Sequence, residues 1–274
     1  MTGTVYLVGA GPGAPDLLTL RAARILARAD IVFHDALVHV DTVALAARAR
    51  IVAVGKRCGR HSTAQRFIDK QLVDAARRHA VVVRLKGGDP MLFGRGQEEI
   101  DALEAAAIPY EVVPGVTAAL AAAAELGTSL TQRGSVRSFT FVTPRVGAGE
   151  NASRWADALK AADGGAIYMG AREAPSIAQA LLAAGRPATT PVAIVVDASL
   201  PSVETHFTTL AQLRLFGERD FHGPALVFVG PQFRPRADAA RYDAHVAATR
   251  PLAQCPRPSV FPFSTSIPIR SAPG

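Results

Sequence analysis

Six charged side chains, Arg84, Lys86, Asp89, Arg95, Glu98 and Glu99, fall within sixteen consecutive positions, interleaved with glycines at 87, 88, 94 and 96. The stretch opens as an apolar strand from Val81, breaks at Gly87-Gly88-Asp89-Pro90, and crowds Arg95, Glu98 and Glu99 into the start of a helix. Glycine at the margin of a strand or helix costs stability, so this much glycine beside this much charge reads as half of a ligand site. Asp89 is a short acceptor next to exposed backbone donors, which suits a polar ligand such as a ribose. An ordinary Asp-Pro turn uses the same residues. Arg95 and Glu98 have the i, i+3 spacing of a helical surface pair, although the flanking glycines give neither much to pack against.

Four other places carry chemistry. Gly9, Gly11 and Ala14 satisfy the G-x-G-x-x-A pattern of a dinucleotide turn, with Asp35 at a fitting distance. Against that, Pro12 removes a backbone N–H where a pyrophosphate needs one, and a tight strand-to-helix turn explains the glycines equally well. Asp35 ends the second strand, where a carboxylate can take a proton or fix a ligand. Read locally, it is better placed as the N-cap of the next helix. Lys56 and Arg57 follow the third strand, as anion ligands or as solvated loop charges. Arg133, in Ser129-Leu130-Thr131-Gln132-Arg133, is an anion contact or a cation at a helix terminus.

The elements that must position these residues follow from periodicity. An apolar strand at 4–8 leads through the glycine turn into a helix opening at Pro15 and Asp16. There Leu18, Ala22, Ile25, Leu26 and Ala29 share one face, and Arg21, Arg24 and Arg28 the other. Strands at 31–33, 51–54, 81–85 and 110–113 alternate with helices, 62–79 among them, which predicts a parallel sheet with its loops at the carboxyl ends of the strands, where ligands bind. Pro114-Gly115 reads as a hinge. Beyond it come helices at 117–126, 153–160 and 175–184 and strands at 139–142, 166–168, 192–196 and 226–229, more closely spaced, so that a mixed sheet is expected. The fold class is therefore α/β, divided into residues 1–114, 115–234 and a tail at 235–274 whose seven prolines and lack of period predict a flexible or peripheral segment.

Composition bounds the function. The 274-residue chain, 49% hydrophobic and 19% charged, suffices for a sizeable core. No basic-then-apolar leader opens it, and its longest nearly uncharged run, 112–124, is too short to span a bilayer. A cytoplasmic protein without a membrane partner is expected. Two distant cysteines and singly scattered histidines argue against a disulfide framework or a metal site. The net charge of +7 favours anionic ligands. With aromatics at 6% there is no tract for nucleic acid, and a small polyanionic substrate fits.

Taken together, V-G-A-G-P-G-A-P-D-L-L-T-L, D-A-L-V, V-G-K-R, R-L-K-G-G-D-P-M-L-F-G-R-G-Q-E-E, V-V-P-G-V-T-A-A, S-L-T-Q-R, I-Y-M-G and P-A-L-V-F-V-G resemble, in order and spacing, the uroporphyrinogen-III C-methyltransferases of the tetrapyrrole methylase group. The resemblance runs from about residue 5 to 230. It implies two α/β domains with S-adenosyl-L-methionine in the cleft between them, usually in a homodimer. The implied reaction is methylation of uroporphyrinogen III at C2 and C7, giving precorrin-2 by way of precorrin-1, and S-adenosyl-L-homocysteine, in sirohaem, cobalamin or haem d1 biosynthesis. Carried over by position, Pro12, Gly87, Gly88, Asp89, Leu92, Thr117, Ala118, Met169 and Ala198 would contact the methyl donor. Asp35 would be proton acceptor and Lys56 proton donor, and Arg95, Glu98 and Arg133 would bind the tetrapyrrole or handle protons. The chain departs from the family pattern at Pro144-Arg145 for Gly-His, at Ala198-Ser199 for Gly-Thr, and at Gln132 for His. Three other readings remain: a sister methylase acting on a later corrinoid, a nicotinamide-dependent oxidoreductase built on the first glycine turn, and a non-catalytic adenosyl-ligand sensor. A thermal-shift comparison separates the oxidoreductase from the rest, because it predicts that NAD raises the melting temperature where the methylase readings predict that S-adenosylhomocysteine does so.

Overall fold

A computed structural model of the protein describes residues 2–55, 65–147, 151, 153–218, 221 and 223–234. Lys56, Arg57 and the 235–274 tail lie outside the described residues. In the first half the order is β1 (Thr4–Gly9), α1 (Leu20–Ala27), β2 (Ile31–His34), α2 (Val40–Ala44), β3 (Arg50–Ala53), α3 (Gln65–Ala76), β4 (Val81–Lys86), α4 (Gly96–Ala105) and β5 (Tyr110–Val113). Its strands form a sheet in the order β3-β2-β4-β1-β5, parallel at every pairing. Both faces are covered, as parallel sheets require. Val8, Val32, Val83 and Leu85 pack under Ala22, Ile25 and Leu26 of α1 on one face. Val5, Leu7, Phe33 and Val82 pack under Ile68 and Leu72 of α3 and Ile100 and Leu103 of α4 on the other.

The connection from β1 leads through α1 to one side of the sheet, and that from β4 leads through α4 to the other. Neighbouring strands whose connections diverge leave a crevice at their carboxyl ends, the usual ligand position in such sheets. Here the crevice is bounded by backbone. Gly11 and Gly88 exchange hydrogen bonds, N–H to O, at 3.2 and 2.7 Å. A Cβ on Gly9 would lie 2.6 Å from Gly115 Cα, and one on Gly115 would collide with the Gly88 carbonyl. Gly115 N–H also donates to Asp89 Oδ2 at 2.9 Å. The expected hinge at Pro114-Gly115 is therefore a clamp, in which glycine is required by the close approach of three chain segments.

The second half contains α5 (Ala118–Glu125), β6 (Phe139–Val142), α6 (Trp155–Ala161), β7 (Gly164–Ile167), α7 (Ala174–Ala183), β8 (Pro191–Val196), β9 (Glu204–Thr209), α8 (Leu210–Leu213) and β10 (Ala225–Val229). Its sheet runs β6-β7-β10-β8-β9, with β6 and β7 parallel and the remaining pairs antiparallel, the mixed sheet expected. Alanines 119, 121 and 122 let α5 lie close to Ala193, Val195, Leu226 and Phe228 of this sheet.

Three local expectations are corrected. The first helix begins at Leu20, not Pro15, because Thr19 accepts the Ala22 N–H at 3.2 Å and caps it, leaving Pro15–Leu17 as a separate 3-10 turn. Asp35 caps nothing: the N-cap of α2 is His39. Strand β9 had no counterpart in the apolar pattern, since Glu204-Thr205-His206-Phe207-Thr208-Thr209 is an edge strand without a fully buried residue.

The glycine clamp makes a measurable claim. Gly115→Ala is expected to cost about 2 kcal/mol or more by urea denaturation, the range of overpacking against rigid neighbours. Gly87→Ala should fall within about 0.5 kcal/mol of the parent, as surface substitutions usually do, because its Cβ would meet only Leu37 Cβ at 3.4 Å.

Candidate functional site

Val82, Arg84 and Lys86 alternate along β4 and so share a face of the sheet. On α4, Gly96, Glu99, Ile100 and Leu103 are the buried positions, the i, i+3, i+4, i+7 stripe of a core-facing helix. Val82 on the strand and Ile100 and Leu103 on the helix are apolar, but at the carboxyl end of the strand the two rows meet as charges. Glu99, with no exposed side chain, accepts from Arg84 Nε and Lys86 Nζ, each at 2.8 Å, while Arg84 and Lys86 are themselves 3% and 2% exposed. Gln65 Nε2 adds a longer bond of 3.3 Å to Glu99 Oε1 and one of 2.8 Å to Asp69. Arg84 then turns its Nη2 outward to Asp35 Oδ1 at 2.5 Å, the carboxylate that follows β2, whose side chain is 31% exposed.

The electrostatics follow from burial. Burial, with the nearby Arg84 cation, pulls the Lys86 ammonium below its ordinary range despite its bond to Glu99. Burial alone would lower Arg84 too, but Asp35 and Glu99 together outweigh it and hold the guanidinium above its ordinary value. Burial pushes Asp69 up, against the hydrogen bond from Gln65. In the sequence Arg84, Lys86 and Glu99 belong to the charged stretch that reads as half of a ligand site, with no separate role for each. Two cations at alternate positions of a strand sandwiched between helices, facing a carboxylate on the core stripe of the next helix, were the readable signal.

Around this cluster the structure draws together most of the residues singled out by resemblance. The Gly11-Pro12-Gly13 turn is tied to Gly88, and a Cβ on Gly87 would just touch Leu37, two residues beyond Asp35. A Cβ on Gly88 would approach only Thr117 Cα and Ala118 N, at 3.9 and 4.0 Å, so a ligand can come close to this backbone. Asp89 holds its own loop together, accepting from Met91 N–H at 2.8 Å and from Gly115 N–H. Leu92 is half-buried beside it. Thr117 Oγ1 pairs with Tyr168 Oη at 2.7 Å, and that hydroxyl also accepts the Ala119 N–H at 3.2 Å, supplying the start of α5 with an acceptor. Tyr168 packs against Phe93 with centroids 5.0 Å apart and the rings tilted at 52°, and burial raises its phenol above the ordinary range. Met169 follows, exposed and left-handed at φ 58°. Ala198 is buried, and Ser199 Oγ accepts the Ala14 N–H at 3.0 Å, joining the loop after β8 to the first glycine turn.

Left-handed backbone concentrates in these loops. Phe93, Arg95, Met169, Asp197 and Ser199 all have φ between 51° and 72° without being glycine. Such conformations cost about 1–3 kcal/mol each and gather at ligand sites. Ala198, where the family pattern has glycine, is outside this region, so its methyl group is accommodated without backbone strain.

Two expectations change. The glycines at 94 and 96 are not there for looseness: a Cβ on either would run into the Pro90 carbonyl, at 2.9 and 2.5 Å. Nor does the first turn present a pyrophosphate cradle. The N–H groups of Ala10, Gly11 and Ala14 are already donated to Lys86, Gly88 and Ser199, Pro12 has none, and no α-helix starts before Leu20. Arg95 and Glu98 form a two-pronged ion pair at 2.7 and 2.6 Å on the surface, in which the arginine draws the Glu98 carboxyl below its usual range. Arg133 is exposed in the 132–136 turn, apart from this group of contacts. No helix among the described residues is long and apolar enough to cross a membrane.

Comparison with known proteins agrees with this architecture. Residues 4–214 match the tetrapyrrole (corrin/porphyrin) methylase family. The siroheme synthase of Pseudomonas fluorescens is 45% identical over 88% of this chain and 53% of its own length, and that of Azotobacter vinelandii is 44% identical over 90% and 53%. The chain thus spans about half the length of the curated relatives it matches. Among solved structures, the uroporphyrin-III C-methyl transferase of Thermus thermophilus complexed with S-adenyl homocysteine is 39% identical, with a TM-score of 0.74 over 84% of this chain and 98% of that one. A cobalt precorrin-4 methyltransferase is 27% identical with the same TM-score, over 85% and 96%.

The charge cluster carries its own prediction. Glu99→Gln takes away the carboxylate that Lys86 pairs with and one of the two that Arg84 pairs with, leaving Asp35 as the remaining counter-charge, and is expected to lower unfolding free energy by about 3–5 kcal/mol, read from the midpoint of urea denaturation.

Proposed function

Because the chain belongs to the tetrapyrrole (corrin/porphyrin) methylase family, we propose that it transfers methyl groups from S-adenosyl-L-methionine to C2 and C7 of uroporphyrinogen III, releasing S-adenosyl-L-homocysteine and precorrin-2. The observation that carries this reading is the crevice at the β1–β4 switch point. There the open backbone of Gly87 and Gly88 lies beside Pro12, Thr117 and Ala118, with Tyr168 and the Ser199 loop reaching the same segments from the second sheet. The two halves, 1–114 and 115–234, are read as domains that share this cleft.

The residues present suit the methyl donor. Backbone with room above it accepts a flat adenosyl group, and the exposed thioether of Met169 and the methyl of Ala198 offer apolar contact. The donor brings a methyl group already activated on sulfonium. What remains for the protein is to align the accepting carbon and manage the proton the macrocycle loses. Asp35, a carboxylate at the rim of the same sheet edge, is the proton acceptor in this reading, and Lys56 the donor. Arg95 and Arg133 are exposed cations suited to the carboxylates of the substrate. For Arg95 this requires that a substrate carboxylate replace or share Glu98, and an exposed pair worth no more than about 1 kcal/mol permits that exchange.

The 27% likeness to a cobalt precorrin-4 methyltransferase keeps a second reading in view, a sister enzyme acting on a later corrinoid. Product mass separates the two. Purified protein incubated anaerobically with the donor and uroporphyrinogen III is expected to give a product two methyl groups heavier; a gain seen only with a corrinoid precursor would favour the sister enzyme, and no gain with either would refute both. Arg95→Ala and Arg133→Ala should raise KM for the tetrapyrrole about tenfold or more, the loss of one charge-assisted contact, with donor binding unchanged by calorimetry. An equal loss of both would contradict the roles given to these arginines.

A further inference from the structure

We propose that Arg84 is a positioning residue for the Asp35 carboxylate, fixed from behind by Glu99 so that its guanidinium holds one oxygen of Asp35 and leaves the other directed to substrate. This rests on the reading of Asp35 as proton acceptor.

The geometry leads to it in steps. The Asp35 main chain is already held by its surroundings: its N–H donates to Leu85 O at 3.2 Å, its carbonyl accepts from Val38 N–H, also at 3.2 Å, and Gly55 packs against Ala36 N and Asp35 Cα so closely that a Cβ would meet them at 2.5 and 3.0 Å. Only the side-chain torsions remain to be set. Arg84 sets them through Nη2 to Oδ1 at 2.5 Å, while Nε is bound to Glu99 and Nη1 to Leu85 O at 3.3 Å, so the planar fork is held at three points. A guanidinium so held has little freedom left. Among the described residues Oδ2 of Asp35 has no protein donor, and it is the oxygen free to receive a proton. The charged groups facing this pair are Lys86 and Glu99 from β4 and α4, with Gln65 and Asp69 of α3 behind them; His34 Nδ1 meets only the Asp35 carbonyl.

Stability alone does not account for the cluster. Withdrawing Arg84, Lys86 and Glu99 from water is a large cost that well-packed apolar side chains of similar size would avoid. The surrounding rows are apolar, with Val82 on the strand and Ile100 and Leu103 on the helix. A rigid cation aimed at Asp35 is what the charges supply and apolar residues would not.

A double-mutant cycle tests the role. Arg84→Met keeps an unbranched apolar stem in place of the buried part of the arginine and leaves Lys86 and Glu99 as a pair with no net charge, so the fold should survive, as checked by circular dichroism. Methyl transfer is followed by product mass in single turnover with the donor and uroporphyrinogen III. Arg84→Met is expected to slow it ten- to a hundredfold, the scale of a misplaced catalytic group, with the dissociation constant for S-adenosylhomocysteine unchanged within about twofold. In the Asp35→Asn background the same change should add no more than about twofold, because there is no longer a carboxylate to position. A full additional loss in that background, or an unaltered rate in the single variant, would overturn the proposal. If Asp35→Asn itself turns over at the parent rate, the proton-acceptor reading fails and takes this role with it; if Asp35→Asn is slow but Arg84→Met is additive, only the positioning role fails. Should Arg84→Met not fold, Arg84→Lys replaces it in the same cycle, since a lysine ammonium on a shorter, flexible stem lacks the planar fork that fixes Asp35 from Glu99.

Discussion

A carboxylate with no contact with water, gripped by two nearly buried cations, is the constraint on which the candidate site depends. Glu99 is tolerable at the β4–α4 interface only because Arg84 and Lys86 reach it at 2.8 Å and Gln65 helps to fill its remaining capacity. Those contacts require β4 and α4 to hold one relative position, since charge pairs in a dry interior lose most of their value when geometry slips. The loop between them, residues 87–95, is therefore strung between two fixed ends. Its tight course over the Pro90 carbonyl and its left-handed residues at Phe93 and Arg95 are consequences of that anchoring.

The same sheet edge is closed from two more directions by backbone contact. Gly9 and Gly115 meet each other and the Gly88 carbonyl where neither has room for a side chain, bringing the ends of β1, β4 and β5 to a common point. The second sheet then contributes through a few polar and aromatic contacts, Tyr168 to Thr117 and Phe93, and Ser199 to Ala14. Backbone left open at Gly87 and Gly88 lies between these fixtures. A ligand entering there meets walls that are already placed, which is how a site lowers the cost of ordering its contacts on binding.

Much of the fold was legible in the sequence, because strands covered on both faces read as short apolar runs and the intervening helices carry a clean apolar stripe, as in Ala22, Ile25 and Leu26 against Arg21, Arg24 and Arg28. Edge strand β9 escaped because half-burial leaves no pattern in a run of threonines. The start of α1 was misplaced because Pro15 and Asp16 suit a 3-10 turn as well as a helix, and only the Thr19 bond to Ala22 N–H decides between them. The residues of the site were found by resemblance more than by local chemistry: taken alone, Asp35 looked more like a helix cap than a site residue. What distinguishes it is Arg84, forty-nine positions away in sequence and adjacent only once β2 and β4 pair. Gly115 looked like a hinge for the same reason, since its two glycine neighbours come from other strands.

The central claim is that loops from both sheets converge on one adenosyl site at the β1–β4 crevice. Amide hydrogen exchange with and without saturating S-adenosylhomocysteine tests it most directly. Convergence predicts that the ligand slows exchange in 87–92, 117–119, 168–170 and 197–200 together, with a common dependence on ligand concentration. Slowing confined to the first half, or centred instead on the apolar groove formed by Leu120, Ala124, Leu130 and Phe141, would contradict it.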